Sequence, residues 1–462
     1  MNSKPIRHVI DYSLNDEIID KDEFINNLFS FLSSHKLLFS KQLVVGVSGG
    51  PDSMLLSYFL KSFGLKNGYK VHAVIVDHQF RKSSFEEANI TLNRLKMSKI
   101  DAEIIKLDKN CRNSGLQEWA HFKRLEILSS IAKSKNALLF LGHHLNDQVE
   151  TVFMRMSKNT GFWGASGIKF LNYWFNTPVI RPFHQFTKNS ITKTCKKYSI
   201  QFEVDASNFD TKFDRVKIRQ TLGQINNKKR LFKNIYLSSF FIGNLANIID
   251  EKINQICSSS FPIHDLGFSV VDVSLLSNLN NSIALRVLML IIKTVGGNKY
   301  FVKYRNASLL LKHLIKHNNL LSKMPGRTLG GCKIIYRYQR VFILRWSQYN
   351  AKKKVMPNLG NMIFDNRWQI FSKPEIEFEC LQQKHPTLLQ DFFSKTFKIP
   401  IETLAYIPVS LKIFDFKKIK FYLDDMKCDN HISICENFLI FIRKEYNINI
   451  KFIKPITPKA IF

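Results

Sequence analysis

A glycine-rich stretch near the start of the chain has the residue types and order of a phosphate-binding loop. It follows an apolar run, precedes a helical pattern, and has the sequence Ser48-Gly49-Gly50-Pro51-Asp52-Ser53. Glycines let backbone N–H groups approach an anion without interference from a Cβ atom, and a helix N-terminus adds a favourable dipole. The hydroxyls of Ser48 and Ser53 can hold phosphate, and the Asp52 carboxylate can hold Mg²⁺. No Gly-Lys-Ser/Thr follows at the spacing of a Walker loop, so this loop is of another type.

The elements around the loop are those of a sheet whose strands alternate with helices. Short apolar runs predict buried strands at 42–47, 70–77, 102–107 and 137–142. Helical periodicity predicts helices at 86–99 and 117–133 and from about residue 146. This alternation predicts an α/β fold, a doubly wound parallel sheet covered by helices on both faces. In such sheets ligands bind beyond the carboxyl ends of the strands, where the phosphate-binding loop lies.

The pattern changes near residue 226, which indicates further domains. Helical stretches at 237–256, 281–295 and 307–317 precede an alternating hairpin pattern at 333–344, and 351–357 has the composition of a linker. We therefore expect a first domain over 20–225, a mostly helical second domain with a hairpin over 231–347, and a small α+β C-terminal domain over 355–462.

Composition bounds the class of protein. The 68 Lys and Arg against 37 Asp and Glu leave a net charge of +31, which favours a polyanionic partner, nucleic acid above all. An A/T-rich genome, which enriches lysine, is the alternative explanation. Because no apolar run is long enough to span a bilayer and no signal-peptide core follows the first residues, we expect a cytoplasmic protein without membrane contact. Seven cysteines without a C-x-x-C pair indicate reduced thiols.

Further segments follow the loop in a fixed order, and the whole set extends over about residues 42–219. They are Asp77-His78-Gln79-Phe80-Arg81, Glu118 with Arg124, His143-His144-Leu145-Asn146-Asp147-Gln148-Val149-Glu150-Thr151, Arg181-Pro182-Phe183 and Arg215-Val216-Lys217-Ile218-Arg219. Together they resemble the tRNA(Ile)-lysidine synthetases, which are N-type ATP pyrophosphatases with a PP-loop. Two positions depart from the family pattern: Asn146 stands where the family has an aspartate, and His121 stands where it has an arginine.

The resemblance implies an ATP-dependent carbon–nitrogen ligase that releases AMP and pyrophosphate. ATP would adenylate the C2 oxygen of the anticodon wobble cytidine of a tRNA(Ile) with a CAU anticodon. Free lysine would then displace AMP to form lysidine, which changes the codon read from methionine to isoleucine. The expected ATP-binding residues are Ser48, Gly49, Gly50, Pro51, Asp52, Ser53, Asp77 and His143. The expected catalytic residues are Asp52, which would also hold Mg²⁺, Asp147, Glu150 and Arg124.

Asp147 and Glu150 are expected to bind the incoming lysine. They lie three residues apart on a predicted helix and therefore share a face. The ε-ammonium of lysine is cationic and must lose a proton before it can attack, so a carboxylate pair could bind it and accept that proton. A solvated helix face is the ordinary alternative for such a pair, but the buried strand just before it favours the site.

Basic residues downstream are expected to contact tRNA, namely Arg181, Arg215, Lys217 and Arg219. The last three alternate with Val216 and Ile218, which would place their side chains on one face. The resemblance implies that the second and C-terminal domains also bind tRNA.

Two alternatives remain open. A PP-loop tRNA thiolase is one, although the missing cysteine pair argues against it. A non-catalytic RNA-binding protein that retains the ATP fold is the other, and Asn146 and His121 give it some weight. The spacing of Cys428, His431 and Cys435 suggests zinc only faintly, because a fourth ligand is not evident. The sequence leaves the oligomeric state open, a homodimer included.

Overall fold

The computed structural model describes two compact units, and the division between them falls between Ile248 and Ile249. The described residues are 16–79, 84–107, 116–158, 160–174, 177–203, 214–225, 227–264, 267–298, 301–316, 326–337, 340–346, 354–355, 361–364, 367–373, 375–380, 408–409, 443–445 and 448–452. The predicted domain limits near residues 225, 231 and 355 remain predictions.

The first unit contains a six-stranded sheet with the order β3-β2-β1-β4-β6-β5. Its strands are β1 (Gln42–Val47), β2 (Lys70–Asp77), β3 (Asp101–Lys106), β4 (Leu138–Leu141), β5 (Leu171–Trp174) and β6 (Thr177–Ile180). Every neighbouring pair is parallel except β5 and β6, which pair antiparallel at the edge. The predicted α/β class is confirmed, and the antiparallel β5 is the one strand that departs from the expected parallel sheet.

Nine helices begin in the first unit within the described residues. They are α1 (Lys21–Ser34), α2 (Pro51–Asn67), α3 (Ser84–Met97), α4 (Leu116–Ser134), α5 (Leu145–Ser157), α6 (Gly161–Ala165), α7 (Lys188–Lys197), α8 (Asp214–Gly223) and α9 (Lys228–Ser260). Polar caps set several of their starts: Asp20 accepts the Glu23 N–H before α1, and Thr187 accepts the Ser190 N–H before α7.

Helices cover both faces of the sheet because alternate residues of β1 point in opposite directions. Leu43 and Val45 belong to a core that includes residues of α1 and α2. Val44 belongs to a second core, which includes Leu128 of α4. Alternate residues of β1 therefore bury their side chains against the helical layers on opposite faces of the sheet, as a doubly wound sheet requires.

The strand order reverses beside β1, whose neighbours are β2 and β4. Doubly wound sheets bind ligands at such a switch point, beyond the carboxyl ends of the strands. The loops that follow β1 and β4 approach each other closely there. A Cβ atom on Gly142 would lie 3.0–3.1 Å from backbone atoms of Asp52 and Ser53. Glycine at this position lets the end of β4 lie directly against the start of α2.

Within the described residues, the second unit contains small antiparallel sheets and further helical segments. Its helices are α10 (Val273–Ser277), α11 (Asn281–Val295) and α12 (Tyr304–Lys316). Its first four strands, in the order β7-β10-β9-β8, are β7 (Ser269–Val271), β8 (Arg327–Leu329), β9 (Cys332–Arg337) and β10 (Arg340–Arg345). The antiparallel pairing of β9 with β10 confirms the predicted hairpin.

Within the described residues, two three-stranded sheets follow in the second unit. They have the orders β11-β14-β15 and β12-β13-β16, with β11 (Lys354–Val355), β12 (Asn361–Phe364), β13 (Trp368–Phe371), β14 (Glu377–Cys380), β15 (Pro408–Val409) and β16 (Asn449–Phe452). Strand β11 lies inside the stretch that was expected to be a linker. In the part of the chain that the structure describes, no helix combines the length and the apolar character needed to cross a membrane.

One sequence prediction about side-chain direction is wrong. Alternation of basic and apolar residues over 215–219 predicted one basic face, which holds for a strand but not for a helix. These residues lie in α8, where positions two apart are separated by about 200° around the axis. Lys217 therefore lies on a different side of α8 from Arg219. The side chain of Arg215 lies outside the described part of the structure.

Candidate active site

The phosphate-binding loop is held in shape by its own serines. The Ser48 N–H donates to Ser53 Oγ at 3.1 Å, and Ser53 Oγ donates to the Gly50 carbonyl at 3.1 Å. Gly49 has a φ of 82°, and a Cβ atom there would lie 2.6 Å from Thr91 Oγ1. Both the conformation and the contact with Thr91 thus require glycine. Pro51 opens α2, so the loop leads directly into a helix N-terminus.

Asp52 lies in the first turn of α2, and its two carboxylate oxygens have different surroundings. Oδ2 accepts from Lys188 Nζ at 2.5 Å. Oδ1 is buried and has no hydrogen-bond partner among the described residues, and His144 Nε2 lies 3.6 Å from it. A buried carboxylate oxygen without a donor is a suitable ligand for a hard cation such as Mg²⁺. The geometry of Asp52 therefore fits the expected metal.

His144 and Asp147 form a capping box at the start of α5. The Asp147 N–H donates to His144 Nδ1 at 3.3 Å, and the His144 N–H donates to Asp147 Oδ2 at 3.1 Å. An Nδ1 atom that accepts a hydrogen bond carries no proton, so a neutral His144 has its proton on Nε2, the atom near Asp52. The capping box thus orients His144 towards Asp52 and places Asp147 beside the phosphate-binding loop.

Lys188, the partner of Asp52, was not among the residues expected from the sequence. It is the first residue of α7, where a cation is disfavoured by the helix dipole. An acidic partner offsets that cost, and Asp52 supplies it. A lysine directly after a threonine N-cap is the signal that sequence reasoning could have used.

Asn146 has a defined role although it departs from the family pattern. Its Oδ1 accepts the backbone N–H of Lys188 at 3.0 Å. This bond satisfies one of the N–H groups that the first turn of α7 leaves without an intrahelical partner. An uncharged amide is sufficient for that role, so the substitution is compatible with an intact site.

Glu150 is joined to Arg219, 69 residues away. Arg219 Nε donates to Oε1 at 2.8 Å, and Nη2 donates to Oε2 at 3.2 Å. The side chain of Glu150 is 3% exposed, whereas that of Arg219 is 44% exposed. The hydrogen bond that Arg219 donates to Glu150 raises the pKa of Arg219. The structure therefore unites a residue expected to bind lysine with one expected to bind tRNA.

Arg181, expected to contact tRNA, is only 8% exposed. Its Nε donates to His143 Nδ1 at 3.3 Å, and its Nη1 donates to the Lys169 carbonyl at 3.0 Å. This burial leaves little of the guanidinium for an RNA phosphate and lowers the pKa of Arg181 to about 10. Burial, together with the Arg181 cation, also holds the pKa of His143 well below its usual value. The position of Arg181 thus favours a role in holding His143, not in binding RNA directly.

Asp77 ends β2, which lies on the other side of β1 from β4, and Arg124 lies in α4. Asp77 Oδ1 accepts the Gln79 N–H at 2.9 Å and the Ser84 hydroxyl, while Oδ2 is buried without a hydrogen-bond partner in the described residues. Burial and then the nearby Arg124 cation lower the pKa of His78. Arg124 also lowers the pKa of His143, so this arginine lies within electrostatic range of both histidines.

The structure thus brings most of the expected site residues to the carboxyl end of the sheet, around β1 and β4. Asp52, Lys188, His144 and Asp147 form one chain of contacts. The described residues contain no cluster of three His, Cys, Asp or Glu side chains able to hold a metal. Cys428, His431 and Cys435 lie outside the described residues, and Lys217 is exposed on α8.

Comparison with known proteins supports the same family. The PP-loop domain family matches residues 21–225. The tRNA(Ile)-lysidine synthase of Wolbachia pipientis wMel is 25% identical over 323 residues, which are 69% of this chain and 74% of that protein. The enzyme of the same name from the Wolbachia of Brugia malayi is 25% identical over 90% of this chain and 99% of that protein.

Among solved structures, the chain is similar to the U34-tRNA thiolase NcsA from Methanococcus maripaludis with its [4Fe-4S] cluster. That similarity has a TM-score of 0.38, with 15% identity over 47% of this chain and 78% of that chain, and carries no argument about chemistry. The sequence relatives confirm the recognised family and its ligase class. The chain therefore matches the PP-loop domain family over residues 21–225 and resembles the tRNA(Ile)-lysidine synthases over about nine tenths of its length.

Proposed function

We propose that the chain is a tRNA(Ile)-lysidine synthetase, which joins free lysine to the wobble cytidine of a tRNA(Ile) with a CAU anticodon. The observation that carries this proposal is the meeting of the phosphate-binding loop, the Asp52–Lys188 pair and the Asp147 end of α5 at one edge of the sheet. A phosphate site and a carboxylate beside it are what adenylation followed by capture of an amine requires.

The first half-reaction would take place at the phosphate-binding loop. The C2 oxygen of cytidine would bond to the α-phosphorus of ATP, and pyrophosphate would leave. Asp52 Oδ1, buried without a described donor, is the oxygen that would hold Mg²⁺, which would supply charge neutralisation when bound. Loop N–H groups and the Arg124 cation would stabilise the charge that develops on the phosphates.

Lys188 would exchange one anionic partner for another. In the structure its ammonium neutralises Asp52. If Asp52 held a cation, the ammonium would no longer have to balance that carboxylate and could contact a phosphate oxygen instead. Such an exchange keeps every charge paired before and after ATP binds, which avoids an isolated charge in a partly buried site.

The second half-reaction would use the carboxylates of α5. The ε-amine of lysine would attack C2 of the activated cytidine, and AMP would leave. Asp147, with 18% of its side chain exposed, is more accessible to an incoming amine than Glu150. Glu150 would act together with Arg219, whose two hydrogen bonds fix the carboxylate. The lysine site would thus consist of Asp147 and the Glu150–Arg219 pair.

Binding of tRNA is supported by charge. The net charge of +31 suits a partner with a phosphate backbone. Lys217 is exposed and Arg219 half-exposed in the first unit, so both can reach a phosphate, and the second unit is proposed to bind tRNA as well.

A thiolase receives no support from the cysteines whose side chains the structure describes. Cys195, Cys257 and Cys332 are all buried. Burial raises the pKa of each thiol to about 12. Sulfur transfer needs an accessible thiolate, which these three residues do not offer.

Release of pyrophosphate tests the proposal. We expect release from ATP to require CAU tRNA, and release of AMP from the adenylated tRNA to require lysine. A transcript in which the wobble cytidine is replaced by guanosine is the matched control and should give no release. Equal pyrophosphate release with both transcripts, or with no tRNA, would contradict the proposal.

A further inference from the structure

An exposed pair of aromatic rings lies on the loop that follows the catalytic helix α5. Phe162 and Trp163 pack edge to face in α6, with ring centroids 5.5 Å apart and planes at 88°. Phe162 is 38% exposed, and Trp163 is partly exposed. Single exposed aromatic residues occur elsewhere on this chain, so what distinguishes this pair is that two adjacent rings pack together at the surface and offer a joint aromatic face. Neither residue has a role in the two proposed half-reactions.

The loop that carries this pair is fixed to α5. Arg155 Nη1 donates to the Gly167 carbonyl at 2.7 Å. Gln148 Nε2 donates to the Ser166 carbonyl at 3.3 Å, and Gln148 Oε1 accepts the Ile168 N–H at 2.5 Å. Gln148 stands in the chain between Asp147 and Glu150, so the loop is anchored at the level of the two proposed lysine-binding carboxylates.

The side chains that anchor this loop also bond to α9 and to His143. Gln148 Nε2 also donates to Ser239 Oγ of α9 at 2.8 Å. Arg181 holds the Lys169 carbonyl at the end of the loop and His143 with the same guanidinium. These bonds hold residues 166–169 against α5 and Arg181, and α6, which carries the aromatic pair, packs on α5.

We infer that Phe162 and Trp163 form a stacking platform for an unpaired base of the tRNA anticodon loop. This inference rests on the proposed function. To expose the C2 oxygen of the wobble cytidine, the enzyme must separate bases that stack on one another, and aromatic rings replace the lost stacking. A protein with a net charge of +31 attracts the phosphates but gains no contact with the bases from that charge, whereas an aromatic platform supplies one.

Binding of a fluorescent RNA stem-loop with a CAU anticodon to the full-length protein tests the platform. Loss of one base–aromatic stack weakens binding about five- to a hundredfold, and we expect a loss in this range for Trp163→Leu and for Phe162→Leu. Trp163→Phe, which keeps an aromatic face, should stay within about threefold of the parent protein. The matched control is Phe39→Leu, because Phe39 is 55% exposed and precedes β1, at the end of the sheet opposite the site. This control should leave the affinity unchanged.

Three additional readouts separate stacking from other roles. Stem-loop binding should quench tryptophan fluorescence in the parent and less in Trp163→Phe, which retains four of the five tryptophans of the chain. The slope of log affinity against log salt should be the same for parent and Trp163→Leu, because no phosphate contact is lost. ATP binding should also be unchanged, which excludes collapse of the site.

Several outcomes would overturn the inference. Equal RNA affinity of the parent and both leucine variants would show that no base stacks on the pair. Unchanged RNA affinity together with altered self-association in sedimentation would identify the pair as a contact between protein copies. If the parent itself fails to bind the stem-loop, the proposed function fails and the inference with it.

Discussion

Glu150 and Arg219 form a two-point ion pair that fixes a buried carboxylate of α5 to a half-exposed guanidinium of α8. The pair joins the proposed lysine site to a segment proposed to meet tRNA. If α8 moved when RNA binds, Arg219 would move with it and change the position of the Glu150 carboxylate. The relationship therefore offers a physical route by which tRNA could prepare the site for lysine.

The first prediction concerns the stability that this pair provides. Arg219→Met should lower the free energy of unfolding of the first unit by about 1–3 kcal/mol, because it leaves the buried Glu150 carboxylate without its donors. The exposed end of Arg219 keeps the expected value below that of a fully buried pair. Urea unfolding followed by circular dichroism measures the effect.

Lys217→Met is the control for this measurement, because Lys217 is exposed on the same helix. It should change stability by less than about 0.5 kcal/mol. In the double variant Glu150→Gln/Arg219→Met, part of the loss should be recovered, since no buried charge remains. Equal destabilisation by Arg219→Met and Lys217→Met would show that the pair contributes nothing.

The second prediction concerns Lys188. Lys188→Met should weaken ATP binding about ten- to a hundredfold, the usual range for losing a hydrogen bond between charged groups. Lys188→Arg should retain part of the affinity because it retains the charge. Titration calorimetry with ATP and Mg²⁺ measures the change, and Lys196→Met, an exposed lysine of the same helix, is the control. An unchanged ATP affinity in Lys188→Met would exclude a phosphate contact.

The third prediction concerns Asp52. Asp52→Ala should abolish pyrophosphate release and leave tRNA affinity within about twofold of the parent, because the carboxylate belongs to the phosphate site and has no evident RNA contact. Asp16→Ala is a suitable control, since Asp16 is an acidic residue that bonds Thr187 just before α7. Near-normal adenylation by Asp52→Ala would refute the assignment of Asp52.

The fourth prediction concerns pH. Burial lowers the pKa of His184 from 6.5 to about 4, so the unfolded chain binds a proton on this histidine at higher pH than the folded protein does. The stability of the first unit should therefore fall as pH drops from about 6.5 to 4, by up to about 3 kcal/mol from this residue. Well above pH 6.5 this histidine is neutral in both states and contributes no pH dependence.

His184→Gln tests how much His184 contributes to the pH dependence of stability. Glutamine does not titrate, but it can also donate to the Ile168 carbonyl that accepts from His184 Nε2. Urea unfolding at pH 7, 6, 5 and 4 should show a shallower decline in the variant than in the parent. Parallel stability curves for the two proteins would mean that His184 is not the group that titrates.

The sequence predicted those parts of the fold and site that depend on local patterns. The phosphate-binding loop follows from glycines and a helix start that are adjacent in the chain, and the predicted helix over 281–295 has the observed limits of α11. The buried strands follow from short apolar runs. Such signals need no knowledge of distant residues.

Long-range partners could not be predicted from those patterns. Lys188 is 136 residues from Asp52, and Arg219 is 69 residues from Glu150. Only the reversal of strand order brings the ends of β1 and β4 together. The position of Arg181 could not be predicted from local patterns either. It was expected to contact tRNA, and in the structure it is buried and bonds to His143.

Incorporation of labelled lysine tests the central claim most directly. Full-length protein with ATP, Mg²⁺ and labelled lysine should transfer the label to a CAU tRNA(Ile) transcript, and not to the same transcript with guanosine at the wobble position. Glu150→Gln should reduce this transfer about ten- to a hundredfold and accumulate adenylated tRNA, because the loss of a charged hydrogen bond slows capture of the amine. Absence of label from the CAU transcript under conditions where ATP is consumed would contradict the account.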